Sequence, residues 1–349
     1  MNLDFLKLDL KKLLRKPSGG ALLALDLRRT QICLCQVDRQ GRIVLLERVP
    51  LTRDQEGSRE ALAGLLGRIV REYKLAGSPC ITLLHRPDYT LLLTEAPQVP
   101  EAEIQAALRW KIADLIDFPV NEAVLDHFEL QPLQPGETRQ LYVVVSRERV
   151  IQERVDLLRG VGLEPAYIDI AEKAQRNLAA RLPEDEFGVG VIEISDTEAL
   201  LTVTRRGDLL FSRTLPLGVE TLVEHISLSG GYSPDMARSF VASHGLANAE
   251  HDPDQHSLAE QALRQGVERL ALELQRSLDY YDSRFRRGPI RALYFLFDGL
   301  YVPGLAAYVE TLTGTPCRDF PQIEEAAAGH TAQQGCLLSY GAALRELLT

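Results

Sequence analysis

Length, composition and charge limit what this chain can be. Its 349 residues are 45% hydrophobic and 25% charged, which is typical of a globular protein with room for two domains. A formal net charge of −10 argues against non-specific nucleic-acid binding, because phosphate contacts need clustered Lys and Arg. No run in the sequence approaches the ~20 apolar residues of a membrane-spanning helix. The five cysteines lack metal-ligand spacing, and we expect buried free thiols in a reducing compartment.

The chain opens with a predicted amphipathic helix over Met1–Lys16, whose leucines fall on one face. It carries five Lys and Arg against two Asp, and Pro17 with the glycines after it ends the helix. One interpretation is a separate segment, residues 1–17, that touches an anionic membrane surface or a partner helix. The other is a helix packed on its own domain. Lys and Asp interrupt the apolar residues too often for a signal peptide.

Two segments of the chain repeat one pattern. Leu25–Leu51 and Ile192–Leu217 align with a single gap at Gln40. The matched pairs are Asp26 with Glu193, Thr30 with Thr197, Gly41 with Gly207, Pro50 with Pro216 and Leu51 with Leu217. Each copy predicts three strands joined by tight turns, and a helix follows each one, over Arg59–Tyr73 and over Gly218–Ser229. Two such βββα units, each with an acid at its first turn, resemble the actin and sugar-kinase superfamily. In that superfamily the two acid-bearing hairpins face each other across a cleft and hold the phosphates of a nucleotide.

Further elements predict a first domain with an insertion. A buried strand is predicted over Pro79–His85, and the insertion is assigned to residues 88–165. Its elements are the strands Leu91–Thr94, Leu125–Leu130, Gln140–Ser146 and Pro165–Ile170 and the helices Pro100–Ile116 and Glu148–Gly160, in the β-α-β-β-α-β order of a split βαβ sandwich. On the first of these helices, Ile104, Leu108, Ile112 and Leu115 form the apolar face.

The second half is predicted to be mostly helical after its three strands. The helix Ala171–Arg181 leads into this half. The later elements are the helices Pro234–His244, Leu258–Arg284, Pro303–Thr313 and Gly335–Leu348, the strand Arg291–Phe297 and a polar loop over Asn248–His256. Ser233 and Pro234 are expected to form an N-cap and first turn, and Pro303 to lie in the first turn of its helix. The expected fold class is therefore α/β and actin-like (ribonuclease H-like), with duplicated βββαβαβα domains. The first domain covers residues 20–87 and 166–186, and the second covers residues 187–334. A C-terminal helix over residues 335–349 returns to the first domain.

Several blocks narrow the resemblance. They are Ala107–Pro119, Asp126–Phe128, Gly162–Asp169, Arg213–Gly218, Ser277–Tyr281, Asp298–Leu305 and Tyr340–Leu344. In this order and spacing they resemble the PilM family, especially its MshI branch in mannose-sensitive haemagglutinin (MSHA) pilus systems. The resemblance implies a cytoplasmic scaffold at the inner membrane, in a type IV pilus or type II secretion machine. It also implies binding to the cytoplasmic tail of a PilN- or MshJ-like bitopic membrane protein, in a groove beside the insertion, and contacts with other platform components. Trp110, Asp114 and Phe118 are the candidate partner contacts, and packing in the core is the other interpretation for Trp110, Ile112 and Ile116.

The nucleotide site that the superfamily implies lacks its phosphate-binding glycines. Active members have Asp-x-Gly at each turn, because glycine lets backbone N–H groups approach phosphate oxygens. Here the turns are Asp26-Leu27-Arg28 and Glu193-Ile194-Ser195, and Asp298-Gly299 stands where the superfamily has two glycines. The vestigial site is assigned to Asp26, Arg28, Thr30, Glu193, Ser195, Thr197, Asp298 and Gly299. We therefore expect no catalytic residue, no metal and no required cofactor.

Alternatives stay open at this point. The chain is a non-catalytic scaffold, or it is a working ATPase that uses Asp26 and Glu193 with ATP and Mg²⁺, or it forms filaments as FtsA does. A purely structural interpretation makes Asp26 and Glu193 turn acids that cap the local backbone.

Overall fold

A computed structural model describes residue 14 and residues 21–52, 55–131, 138–246, 257–321 and 334–348. The helix predicted over Met1–Lys16, apart from Leu14, and the loop predicted over Asn248–His256 lie outside these ranges. Within them, the structure contains no helix with the length and apolar character of a membrane span. All five cysteines are buried and outside any disulfide, as the sequence predicted.

The chain divides into two compact units. The first contains the described residues up to Ala174 together with Ala342–Leu347, and the second contains those of Gln175–Gly341. The domain limits predicted from the sequence are finer than this division and stay a prediction.

The first unit is built on two sheets. Its elements are β1 (Leu23–Leu27), β2 (Gln31–Val37), β3 (Ile43–Pro50), α1 (Arg59–Glu72), β4 (Pro79–Leu84), β5 (Tyr89–Glu95), α2 (Ile104–Ile112), β6 (Ala123–Leu130), β7 (Gln140–Arg147), α3 (Glu148–Gly160), β8 (Glu164–Ile170) and the start of α4 (Ala171–Ala179). One sheet has the order β3-β2-β1-β4-β8, and the other has the order β5-β7-β6.

The second unit is built on one sheet with helices. Its elements are β9 (Val189–Ile194), β10 (Ala199–Arg205), β11 (Asp208–Leu215), α5 (Val219–Gly230), α6 (Pro234–Ser243), α7 (Leu258–Phe285), β12 (Leu293–Phe297), α8 (Leu305–Thr313), β13 (Cys317–Asp319) and α9 (Leu337–Ala343). The sheet has the order β11-β10-β9-β12-β13.

The two five-stranded sheets confirm the duplication. In both, the first strand of the repeat is antiparallel to the second and parallel to the strand that follows the repeat's helices. Asp26 lies opposite Cys33 in one sheet, and Glu193 lies opposite Leu200 in the other. The hairpin glycines also correspond, since Gly41 and Gly207 have φ of 81° and 76°, a backbone conformation that favours glycine.

The sheet of the insertion has one strand fewer than the sequence predicted. Strands β5, β6 and β7 form this sheet, and α2 packs on them through the buried side chains of Ile104, Leu108 and Ile112. The predicted fourth strand is wrong, because β8 pairs in parallel with β4 of the larger sheet. Helix α3 likewise buries Leu157 and Leu158 in the core that contains β1 and α1. A parallel strand needs such a crossover helix, so β8 belongs to the larger sheet and α3 is the crossover that leads to it. Ile151 of α3 also packs with Tyr89 and Val124 of the insertion.

Some predicted helix limits also need correction. Helix α2 ends at Ile112, and Leu115, which was expected on the apolar face, is 57% exposed in the turn that follows. Helix α8 begins at Leu305, because its N-cap Gly304 has a left-handed conformation with φ of 77°, so Pro303 lies outside the helix. The single helix expected over Gly335–Leu348 consists of α9 between two short 3₁₀ turns. The Ser233 N-cap is confirmed, since its side chain accepts a hydrogen bond from the Met236 amide.

Candidate functional site

The acid of the first turn is fully buried and both of its oxygens are engaged. Asp26 lies near the end of β1, and the turn after it is closed by a hydrogen bond of 2.9 Å from the Arg28 amide to the Gln31 carbonyl. The Arg28 Nε donates to Asp26 Oδ2 at 2.9 Å, and His85 Nε2 lies 2.5 Å from Asp26 Oδ1. Arg28 therefore folds back onto the acid of its own turn, where its planar guanidinium suits a carboxylate.

These contacts keep Asp26 ionised. Burial on its own raises the pKa of Asp26, but the positive charges and hydrogen bonds of Arg28 and His85 outweigh it. Together they hold the pKa of Asp26 well below its usual value of 3.8. A buried carboxylate needs such partners, because an uncompensated charge in the interior is costly.

Residues 85–89, from the end of β4 to the first residue of β5, supply partners for a second buried acid. Besides His85, they include Tyr89, whose hydroxyl donates a short hydrogen bond to Glu172, and Arg86, whose guanidinium lies 3.7 Å from the same carboxylate. Glu172 is fully buried at the start of α4. Sequence analysis did not identify His85 or Glu172. The position of His85 at the carboxyl end of a strand parallel to β1 was the available signal, since such strand ends meet at one edge of a sheet.

The second turn repeats this geometry, and its acid accepts a hydrogen bond from a side-chain amide. The Ser195 amide donates to the Glu198 carbonyl at 2.9 Å, as the Arg28 amide does to Gln31. Glu193 is 5% exposed, and its Oε2 accepts a hydrogen bond of 3.2 Å from the amide of Gln175. Gln175 in turn accepts from the hydroxyl of Thr202 at 2.8 Å. A hydrogen-bond chain through the neutral side chains of Gln175 and Thr202 is therefore part of the surroundings of the second acid.

The structure brings the predicted residues of each unit together within that unit. Thr30 lies in the first turn, where its carbonyl accepts from the Leu51 amide at 2.8 Å. In the second unit, the Asp298 amide donates to the Ile194 carbonyl at 2.9 Å, so Asp298 and Gly299 lie beside the turn that contains Ser195 and Thr197. Gly299 has φ of 103°, which favours glycine.

A close backbone approach fixes the second turn against α5. The amides of Val219 and Glu220, the first donors of that helix, reach the carbonyls of Ser195 and Asp196 at 3.0 and 2.8 Å. Gly218 permits this, because a Cβ there would lie 2.5 Å from the carbonyl carbon of Thr197. The turn therefore occupies N-terminal helix donors that would otherwise be available to an anion.

The candidate partner contacts of the insertion differ in exposure. Trp110 is 83% exposed on α2, so its interpretation as a core residue is wrong, whereas Ile112 is buried and Ile116 is partly buried against the same core. Asp114 is exposed. Phe118 packs against the core of the insertion, with the Arg147 guanidinium 4.3 Å from the centre of its ring.

Metal ligands do not cluster in the part of the chain that the structure describes. No group of three or more His, Cys, Asp or Glu side chains lies there in a suitable arrangement. Asp26 and Glu193 remain the acids that the superfamily would assign to Mg²⁺ coordination.

Comparison with known structures defines the class of protein. The chain has an actin-like fold, shared with the ethanolamine utilization protein EutJ from Carboxydothermus hydrogenoformans (14% identity, TM-score 0.54, 95% of this chain and 92% of that one). It is also shared with ADP-bound MreB5 of Spiroplasma citri (12% identity, TM-score 0.53, 95% and 98%). A PilM–PilN type IV pilus biogenesis complex is similar to it as well (24% identity, TM-score 0.78, 93% and 98%).

The sequence profile of the type IV pilus assembly protein PilM matches residues 25–339. The chain therefore belongs to the PilM family of type IV pilus assembly proteins. A search of curated proteins gives no match.

Proposed function

We propose that this chain is a scaffold of an MSHA-type pilus, on the cytoplasmic side of the inner membrane, and that it binds the cytoplasmic tail of a PilN- or MshJ-like membrane protein. Membership of the PilM family and the similarity to a PilM–PilN complex support this proposal. The observation that carries it in this chain is the exposure of Trp110. Contacts with other platform components, and contact of Met1–Lys16 with the membrane surface, are part of the proposal.

Trp110 has the properties of an interface anchor. It is 83% exposed, and Leu115, a few residues further on, is 57% exposed. A large aromatic side chain left in water gains none of the burial energy that it could provide. Tryptophan is also enriched among the residues that contribute most to binding between proteins. The adjacent exposed Asp114 offers a carboxylate to a basic residue at the rim of such a contact.

We further propose that the nucleotide site is degraded, so that the chain acts without ATP hydrolysis. The ion pairs of Asp26 with Arg28 and His85 support this, because coordination of Mg²⁺ would compete with both. In the second unit, Ser195 uses its amide and its hydroxyl within its own turn, each at 2.9 Å from the Glu198 carbonyl. The residues present do not fit a phosphate and Mg²⁺ site of the Asp-x-Gly kind.

The test of partner binding uses a synthetic peptide from the cytoplasmic tail of a PilN-like protein from the same organism as this chain. Binding to the full chain is measured by fluorescence anisotropy, and we expect Trp110→Ala to weaken it about 30-fold, the loss of an interface hot spot of ~2 kcal/mol. Leu228→Ala, at a side chain that is 79% exposed in the second unit, is the matched control and should change nothing. Both variants should unfold at the same urea concentration as the parent chain.

Two results would overturn the proposal. If the peptide does not bind and the full-length partner also fails to co-purify, the pilus assignment loses its main support. If the peptide binds equally well to the Trp110→Ala variant and the parent, α2 is not the docking surface.

A further inference from the structure

Arginines cluster at one end of the second unit, apart from the sites described above. Residues 284–291, at the end of α7 and in the connection to β12, contain four arginines and no acid. The β10–β11 turn adds two more. We call the six the arginine patch: Arg205, Arg206, Arg284, Arg286, Arg287 and Arg291. It lies in a chain of net charge −10, so it differs in sign from the protein as a whole.

Hydrogen bonds bring the two segments of the arginine patch together. The Arg205 guanidinium donates to the carbonyls of Arg287 and Glu186, at 2.8 and 3.4 Å. The Arg291 amide donates to the Gly188 carbonyl at 2.8 Å. Both segments therefore contact the same stretch, residues 186–188, which leads into β9.

Acids compensate only part of this charge. Residues 185–187, 205–208 and 282–291 contain four acids against the six arginines. Glu186 pairs with Arg206 at 2.8 Å, and the buried Asp185 accepts hydrogen bonds of 2.6 Å from the Thr204 hydroxyl and the Gly207 amide. The other two acids are Asp208 and the exposed Asp282. An excess of positive charge therefore remains at this end of the unit.

Three arginines of the patch present their charge to solvent. Arg284, Arg286 and Arg291 are exposed, and none of them forms an ion pair with another residue that the structure describes. The Arg284 guanidinium lies 5.9 Å from the centre of the Phe285 ring, on its own helix. Guanidinium groups bind phosphate oxygens with two parallel hydrogen bonds, so these three suit a surface that carries phosphate groups.

An exposed aromatic side chain lies inside the patch. Phe187 is 53% exposed, and the Arg291 guanidinium lies 5.2 Å from the centre of its ring. An exposed phenylalanine keeps apolar surface in water that burial would stabilise. At the boundary of a membrane, such a ring enters the acyl region while cationic side chains stay at the headgroups. Phe187 therefore favours a lipid surface over a purely electrostatic contact.

We propose that the arginine patch and Phe187 form a contact with an anionic membrane surface. Arg284, Arg286 and Arg291 bind lipid phosphates, and the Phe187 ring enters the boundary between headgroups and acyl chains. This inference rests on the proposed function for the presence of the membrane, and it assigns the contact to a surface of the second unit. One such surface gives reversible binding, so the patch adds to the attachment that the membrane partner provides.

The test is co-sedimentation of the full chain with vesicles of phosphatidylglycerol and phosphatidylcholine in equal parts. We expect binding to these vesicles, none to phosphatidylcholine alone, and weaker binding in added salt. Arg284→Gln combined with Arg286→Gln should weaken the binding about thirtyfold, because the contributions of the two arginines multiply. Arg269→Gln combined with Arg276→Gln is the matched control. It removes the same charge at exposed positions two or more turns before Arg284 on α7, and it should bind as the parent does.

Tryptophan emission reports whether residue 187 enters the lipid. The chain has one tryptophan, so a variant with Trp110→Phe and Phe187→Trp emits from position 187 alone. We expect its emission maximum to move to shorter wavelength on the anionic vesicles, because the indole ring leaves water. Both double arginine variants should unfold at the same urea concentration as the parent chain, since all four positions are exposed.

Three results would overturn this proposal. The first is a parent chain that fails to bind the anionic vesicles. The second is equal binding of the parent and the Arg284→Gln, Arg286→Gln variant, which would assign the contact to another part of the chain, such as Met1–Lys16. The third is an unshifted emission from position 187, and binding of poly-glutamate or RNA that this variant loses would then assign the patch to an acidic protein or a nucleic acid. The partner-peptide assay contains no lipid, so failure of the proposed function and failure of this inference are distinguishable.

Discussion

Asp26 and His85 lie 59 residues apart in sequence, and their side chains meet at 2.5 Å between Oδ1 and Nε2. This contact ties the acid of the first turn to the segment that leads into the insertion. The same segment contributes Arg86 and Tyr89 to Glu172, and Asp88 to Arg154. Four of the residues from His85 to Tyr89 therefore supply partners to two buried acids and to Arg154.

The Asp26 ion pairs should stabilise the fold. Asp26→Asn leaves Arg28 and His85 beside a neutral group, and we expect the free energy of unfolding to fall by about 3 kcal/mol, the usual cost of breaking a buried pair. Urea denaturation at pH 7 measures this. Asp117→Asn is the control, because the Asp117 side chain is 89% exposed and its pair with Arg147 is 3.4 Å long, so its loss should cost less than ~1 kcal/mol. Equal losses for the two variants would contradict a stabilising role.

The lowered pKa of Asp26 predicts that the stability of the fold depends on pH. Its folded-state pKa is lowered, so its contribution to stability is complete above the usual pKa of 3.8 and is lost as the pH falls below it. The side chains that lower the pKa of Asp26 are Arg28 and His85. We expect the stability difference between the parent and Asp26→Asn to shrink by about 1 kcal/mol between pH 6 and pH 3. A difference that stays constant over this range would show that Asp26 has an ordinary pKa.

The sequence predicted the sheets better than it predicted the contacts between strand ends. The duplication around Asp26 and Glu193 was visible because both copies keep the same residues at the same turns. It predicted the three antiparallel strands of each five-stranded sheet, whereas β13 at the edge of the second sheet was not predicted. His85 was missed because its pairing depends on which strands become neighbours, and no local pattern records that. The same applies to β8, whose apolar character suits either sheet and whose pairing with β4 follows from the packing of α3. Trp110 was ambiguous because an apolar residue in a helix is compatible with a core or an interface.

Two glycines provide a matched test of the backbone packing described above. At Gly218, a Cβ would collide with the backbone of Thr197, so Gly218→Ala should cost about 1–3 kcal/mol of unfolding free energy. At Gly64, within α1, nothing lies within 4 Å of the added atom. Gly64→Ala should therefore stabilise the chain by about 0.5–1 kcal/mol, since alanine loses less backbone entropy in a helix. Urea denaturation of both variants should give opposite signs, and a loss at Gly64 as large as that at Gly218 would refute the explanation.

The proposal of a degraded nucleotide site predicts that ATP with Mg²⁺ binds weakly. Calorimetry should show no binding with a Kd below about 100 µM, because Asp26 would have to exchange Arg28 and His85 for the metal and Ser195 holds its donors within its turn. The Glu193→Ala variant is the control for the second unit, and it should give the same calorimetric titration with ATP and Mg²⁺ as the parent chain. Micromolar binding that is abolished by Asp26→Ala would instead support a working ATPase. In that case the Arg28 ion pair would have to open when nucleotide binds, and Arg28 would become a candidate phosphate ligand.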